Sequence, residues 1–508
     1  MSGSRAGPPP AAMRRMAPWL SHCVACALLA GCALAPDPRP PRLPESSGYA
    51  APGGILATAA GSAMFRYGQA PQEQWWRSFD SPRIDAIVEE ALHASPDIAA
   101  AAASLRAAQA SVRAQRGAAL PAIDATASLT RQRIPAALAS PASSGASIYD
   151  LHGAQVDVTY VPDVFGANRY QVEALQAQAD TQREQLDATY LALTANVVAT
   201  AIQAAALQAQ RDFTATLIEL QQRQLELTRL QVSAGAAPQS AVVVQQASLA
   251  QAVAALPPLQ RAEAQAHDQL CALLGTTPDR AGPALPDLDA ISMPQSIPVA
   301  LPSQLVEQRP DVRAAAAQLR AAAAAVGVAA AARLPQITLT ADIGTSATRI
   351  AALGRADSLL WGIAAGLTQP LFHGGALLER QRAAQASYEA AVAQYRSTAL
   401  TALRNVADAL NALATDGAAV DAAADLERAS RRSLELGRRQ QGLGDLSPLS
   451  VLALEQAWRQ ATINRIQAQA TRLADAVALY QALGGRWNEA CIASDAERPG
   501  SAASGCGS

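Results

Sequence analysis

The chain has 508 residues, half of them hydrophobic, but only 4% are aromatic and much of the apolar half is alanine. That is thin for one thick globular core and fits a long object of closely packed helices, since alanine is the best helix former. All 40 basic residues are arginine, which excludes a phosphate-loop lysine and any Schiff-base lysine, and the formal charge of −2 offers nothing to nucleic acid.

Residues 1–31 read as a lipoprotein leader. Arg14 and Arg15 form a basic start, Trp19 to Ala30 give an apolar run too short to span a bilayer, and the run closes in Leu29-Ala30-Gly31-Cys32. Small residues ahead of a cysteine resemble a bacterial lipobox, whose thiol is acylated and becomes the new N-terminus, so Cys32 is the expected lipidation site. Ala33 follows where inner-membrane lipoproteins carry Asp, which implies sorting to the outer membrane. Acyl chains anchor at roughly 0.8 kcal/mol per buried methylene, so a multiply acylated cysteine binds durably. Loss of the leader removes Arg5, Arg14 and Arg15 and leaves 37 basic against 42 acidic residues. A Pro-rich linker at 32–74 follows. Cys271 lies in a helical run as a packing residue, and Cys491 and Cys506 sit in a flexible tail, 488–508, where the periplasm permits a disulfide. No cysteine or histidine spacing suits a metal, so neither metal nor cofactor is expected.

An internal repeat sets the architecture. Ser95-Pro96-Asp97-Ile98, Leu105-Arg106, Val112, Leu120-Pro121 and Ile123 recur 214 residues later as Arg309-Pro310-Asp311-Val312, Leu319-Arg320, Val326, Leu334-Pro335 and Ile337, without a gap. The units span 75–275 and 303–487, joined by a linker at 276–302. A helix of roughly 24 residues opens each repeat, and after each Leu-Pro the period changes from helix to strand. Asp124, Thr126 and Ser128 alternate with apolar residues, as do Gln155, Asp157 and Thr159 on a partner strand. In the second unit Thr338, Thr340 and Asp342 do the same, followed by a strand around Trp361 to Leu367. Strands of about 9–11 residues cross a bilayer when tilted, which would turn the polar set toward a lumen. A soluble hairpin with one wet face fits that alternation equally well.

Each unit continues in an uninterrupted helical stretch, 168–234 and 375–441, about 100 Å long at 1.5 Å per residue. Val392, Ala399, Val406 and Leu413 recur at heptad spacing, as do Phe213, Leu220 and Leu227. These helices end at Gly235-Ala236-Ala237-Pro238 and Gly442-Leu443-Gly444-Asp445. A helix of roughly 37 residues returns, in the first unit through Pro257 and Pro258, which should bend it. The expected class is therefore α+β, built as a duplicated helix–hairpin–long helix–helix unit. Two hairpins give four strands, and open sheet edges cannot face lipid, so if the strands span the membrane, chains must combine. Three copies give twelve strands; two give eight, whose interior fills with side chains.

The chain resembles the TolC-like outer-membrane efflux proteins, in their lipoprotein (NodT/OprM-type) branch. The resemblance rests on Trp75-Trp76-Arg77-Ser78-Phe79-Asp80, Leu256-Pro257-Pro258-Leu259, Arg309-Pro310-Asp311-Val312 and Gln369-Pro370-Leu371-Phe372-His373-Gly374-Gly375, over about residues 70–487. It implies a homotrimer with a twelve-stranded barrel in outer-membrane lipid, continuous with a helical barrel in the periplasm. It also implies docking to a periplasmic adaptor and, through it, to an RND- or MFS-type inner-membrane transporter, with passive transport of small molecules or drugs. The family's closed end lies at the helix turns, so Gly235, Gly442, Leu443, Gly444, Asp445 and Leu446 become candidate gate residues. Asp445 could instead cap the returning helix.

No nucleophile or acid–base constellation supports an enzyme; His373-Gly374-Gly375 reads as a tight turn and His93, His152 and His267 as scattered. Trp75 and Trp76 read as packing, and the arginines from Arg428 to Arg439 as a solvated, paired face. A structural coiled-coil lipoprotein would not need four amphipathic strands. A type I secretion duct would differ from an efflux duct only in its partner.

Overall fold

The structure, a computed structural model, describes residues 34–43, 48–49, 65–69, 71–134, 147–280 and 282–484. The expected leader, Cys32, Cys491 and Cys506 lie outside the described residues.

The elements follow the duplicated order. Strand β1 (Phe65–Tyr67) and a 3-10 turn at Trp75–Phe79 precede α1 (Pro82–Ala94), α2 (Pro96–Gly117), β2 (Ala122–Ile134) and β3 (Ser147–Tyr160). Then come α3 (Ala167–Ser233) and α4 (Gln239–Leu273). The linker carries β4 (Ile297–Val299), and the second unit reads α5 (Pro302–Gln308), α6 (Pro310–Ala331), β5 (Gln336–Ala347), β6 (Leu359–Thr368), α7 (Ala376–Leu443) and α8 (Pro448–Leu483). Prolines set several boundaries. Ser95 precedes Pro96 and sits in extended backbone at ψ 120°, because a residue before proline is pushed out of the helical region. Arg309 before Pro310 does the same at ψ 127°.

Strands β2, β3, β5 and β6 form one antiparallel sheet in that order. They run 13, 14, 12 and 10 residues, so three exceed the expected 9–11. The excess in β2 is mostly polar, and there Arg131 still pairs with Asp150 of β3 at 3.7 Å, beyond the alternating apolar stretch. The bend expected at Pro257 and Pro258 does not break α4, which continues through both.

The chain divides into two compact units, and α3 and α7 each have residues in both. One contains residues 108–179 and 318–392, which carry the sheet and the helix ends that adjoin it. The other holds the larger core. There Trp75 stacks on Tyr480 at 5.1 Å, Ser78 Oγ donates to Tyr480 Oη at 3.1 Å, and Trp76, Phe79, Ile202, Leu410, Leu479 and Leu483 are almost wholly buried. Both tryptophans thus pack, and Cys271 is a buried core thiol. Strand β1 pairs in parallel with β4, joining the segment before the first repeat to the linker between repeats. That small sheet had no signal in the alternation pattern, since three residues are too few to show a period. Arg313 reaches Glu184 at 2.6 Å, where burial raises the carboxyl's pKa against the opposing effect of Arg313.

Candidate functional site

In the four-stranded sheet, register decides which side chains share a face, because successive residues alternate. Asp124, Asp157, Asp342 and Gly362 lie in one row across the four strands. The next rows on that face hold Thr126, Gln155, Gly344 and Leu360, then Ala122, Thr159, Thr340 and Ala364. Thr338 and Ser128 complete the set, each opposite a glycine, Gly366 and Gly153. All nine polar positions read from alternation therefore occupy one face. Their contacts agree: Thr126 Oγ1 donates to Asp157 Oδ2 at 3.2 Å and Gln155 Nε2 to Asp157 Oδ1 at 2.9 Å. The glycines make room, since a Cβ on Gly362 would stand 2.7 Å from Asp342 Oδ1 and one on Gly153 2.9 Å from Ser128 Oγ.

The opposite face is chiefly apolar, with His152 and the Arg131–Asp150 pair toward one end. Ile123, Val158, Ala341 and Ile363 form one row, and Ala125, Val156, Ile343 and Trp361 the next. Trp361 and Ile363 are 71% and 79% exposed, which water does not favour for so large a continuous patch. Strands β2 and β6 are the sheet's edges, each hydrogen-bonded to one neighbour. Past β6, Leu371 and Phe372 are also exposed, ahead of the tight turn in which Gly374 and Gly375 have φ of 57° and 83°. Among the described residues, three helices have windows apolar enough to cross a bilayer, including α3. At 67 residues α3 is about three times the length a bilayer needs, and its apolar window is 61% buried within the chain.

The second set of candidates lies where the helices reverse, within the larger unit. After α3, Gly235 adopts φ 71° and the Ala236 N–H bonds back to the Gln231 carbonyl at 2.8 Å, closing the helix as a left-handed glycine allows. After α7, Gly444 adopts φ 85° and the Asp445 N–H bonds to the Gln440 carbonyl at 2.9 Å. Here the expected boundary shifts: Gly442 and Leu443 belong to the last turn of α7, not to the connection. The cap of α8 is Ser447, whose Oγ accepts the Ser450 N–H at 3.1 Å, so Asp445 is left exposed without a capping role. Leu443 is 78% exposed. Leu446 turns inward and meets the bare Gly437, where a Cβ would stand 3.3 Å from its Cδ2. The structure thus separates two projecting candidates, Leu443 and Asp445, from one that braces its own hairpin.

Behind these turns lies a polar seam that the sequence pattern hid. Arg438, read as part of a solvated face, reaches Glu455 at 2.6 Å, and Glu455 is 4% exposed. A cavity of about 30 Å³ beside it is lined by Gln224, Thr228, Gln231, Gln245, Gln441 and Glu455, room for a water. Farther along the same helices, the Asp416 carboxyl of α7 lies by Asp475 of α8. Burial chiefly, then the neighbouring Asp475, raises the Asp416 carboxyl to about 6, with Arg472 opposing. The only clue available was an acid close to heptad residues such as Leu413. Among the described residues, no cluster of three metal-capable side chains occurs.

The outer membrane efflux protein family model matches residues 87–276 and 301–485. The pyoverdine export outer membrane protein OpmQ of Pseudomonas putida is 30% identical over 87% of this chain and 94% of its own length. The probable efflux pump outer membrane protein TtgC of the same organism is 32% identical over 92% of this chain and 96% of its own. In fold, the chain resembles the Campylobacter jejuni CmeC outer membrane channel at a TM-score of 0.83 and 19% identity, over 91% of this chain and 98% of that one.

Proposed function

Because the chain belongs to the outer membrane efflux protein family, and so is an outer-membrane exit channel for efflux, we propose that it works as a homotrimeric duct tethered through acylated Cys32. The observation that carries the trimer is the sheet: four strands, one apolar face, and two unpaired edges at β2 and β6. An edge in lipid leaves amides unsatisfied at several kcal/mol each, and three copies closing β6 onto a neighbour's β2 remove every edge. Twelve strands leave an open lumen lined by the Asp124, Thr126, Ser128, Gln155, Asp157, Thr159, Thr338, Thr340 and Asp342 face.

The helices supply the periplasmic part, and their turns meet a periplasmic adaptor that links the duct to an inner-membrane transporter of RND or MFS type. Leu443 and Asp445 stand at the constriction. Relatives carry names that mention pyoverdine, antibiotics and toluene, a range that argues for selectivity in the pump and not in the conduit. Transport through the duct is passive, needing no chemistry from its residues.

The test is direct. Extracted from outer membranes in mild detergent, the protein should have the mass of three chains and conduct ions in planar bilayers. A stable, folded, non-conducting monomer in those membranes would overturn the duct.

A further inference from the structure

From Leu34 to Pro40 the chain reads Leu-Ala-Pro-Asp-Pro-Arg-Pro, with proline at every second position. Such a segment is preset to an extended path, and its prolines carry no N–H that would need a partner against a protein surface. Two tyrosines hold part of the remaining polar backbone. The Leu34 N–H donates to Tyr170 Oη at 3.3 Å, and Tyr388 Oη donates to the Asp37 carbonyl at 3.0 Å. The Arg39 N–H turns back to Asp37 Oδ1 at 3.0 Å.

Tyr170 is firmly seated. It is 7% exposed, and its ring occupies a notch at Gly327, where a Cβ would stand 2.7 to 2.9 Å from three ring carbons. The Arg169 guanidinium lies 5.1 Å from the ring centre on the same helix. Tyr170 stands at the start of α3, directly after the turn that ends β3, and a Cβ on Gly166 in that turn would be 3.4 Å from Tyr170 Cε2. The same turn carries Val161 and Val164, 48% and 58% exposed. Cys32 is two residues upstream of Leu34. Two extended residues reach at most about 7 Å.

We propose that Tyr170, seated at Gly327, and Tyr388 form a dock for the N-terminal strap that fixes the acyl chains of Cys32 beside the turn between β3 and α3. This rests on the lipidation of Cys32 proposed above. The two tyrosines are positioning residues for the anchor. The chain then enters the membrane at two places, its strands and its lipid, whose relative height is set by two hydroxyls. The acyl chains are then held beside Val161 and Val164, the exposed apolar residues of that turn.

The test is Tyr170→Phe with Tyr388→Phe in the full, lipidated protein, which keeps both rings and removes both hydroxyls. Trypsin should cut after Arg42 at least tenfold faster than in the native protein, while trimer mass and unfolding temperature stay unchanged; the Arg39–Pro40 bond resists because proline follows. In cells fed a diazirine-bearing palmitate, light should crosslink the acyl chain to the peptide containing 161–166, and the double variant should lose most of that product. Cleavage unchanged, or crosslinking unchanged despite faster cleavage, would overturn the proposal. If the released peptide carries no acyl group, the lipidation reading falls alone, and the cleavage comparison still decides whether the tyrosines hold the strap.

Discussion

Arg438 of α7 donates to Glu455 of α8 at 2.6 Å, and the carboxylate that it meets is 4% exposed. Removing one member of such a pair strands the other's charge, whereas replacing both with apolar groups of similar size does not. Arg438 keeps some contact with water, which moderates the cost. Glu455→Ala is expected to lower stability by about 1–3 kcal/mol, and Arg438→Met with Glu455→Leu to recover most of it. Denaturant unfolding of the three proteins checks this; a double variant as weak as the single would assign the loss to packing.

The two faces of the sheet should answer differently to charge. Ile363→Arg places a guanidinium in the row of Ile123, Val158 and Ala341, at an expected cost of about 2–4 kcal/mol near the bilayer midplane. Ala364→Arg, one residue on, falls in the row of Thr159 and Thr340 and should leave assembly intact. Trimer recovered from outer-membrane fractions distinguishes them, and equal yields would contradict a lipid-facing apolar side.

Asp416 gives the helical part a pH dependence of known sign. Its folded carboxyl is raised to about 6 from the ordinary 3.8, so the folded state holds a proton that the unfolded state releases. The stabilisation is complete below about pH 4 and is lost as pH rises through about 6. Asp416→Asn should therefore gain about 1–2 kcal/mol relative to the native chain on going from pH 4 to pH 7.5, after allowance for solvent screening. Thermal unfolding at the two pH values measures it; a difference independent of pH would remove the bound proton.

At the second helix turn, Leu443→Ala with Asp445→Ala should loosen the constriction proposed for the trimer. Three carboxylates around a small opening favour cations, and three leucines add a dewetting barrier. The double variant should conduct more in planar bilayers with weaker cation preference and unchanged trimer mass. Conductance and selectivity matching the native protein would move the gate elsewhere along the helices.

What could be read in advance was whatever repeats. Long helices expected at 168–234 and 375–441 run Ala167–Ser233 and Ala376–Leu443, because heptad spacing over many turns leaves little latitude. The strand faces were equally legible, since the alternation of Asp124, Thr126 and Ser128 fixes the side once register is set. Strand ends were not: Arg131 to Arg133 continue the ladder with polar residues that look like loop. Nor could helical period show that Arg438 turns from a solvated run into the hairpin, or that Asp445 leaves capping to Ser447 two residues on. The tyrosine dock depends on Tyr170 meeting a glycine 157 residues away, a coincidence of packing that leaves no trace in spacing.

The seam between β3 and β5 joins the repeats inside one chain by antiparallel pairing, and a trimer would join β6 to the next chain's β2 by the same kind of bond. Around such a ring stand six near-equivalent hairpins, sewn by peptide at alternate junctions only. The linker at 276–302 is then chiefly a device of stoichiometry: it delivers the two hairpin types in equal dose and strict alternation. Under that guarantee the two hairpins are free to diverge, β2 and β3 running 13 and 14 residues and β5 and β6 12 and 10, with no risk of a ring built from six copies of either.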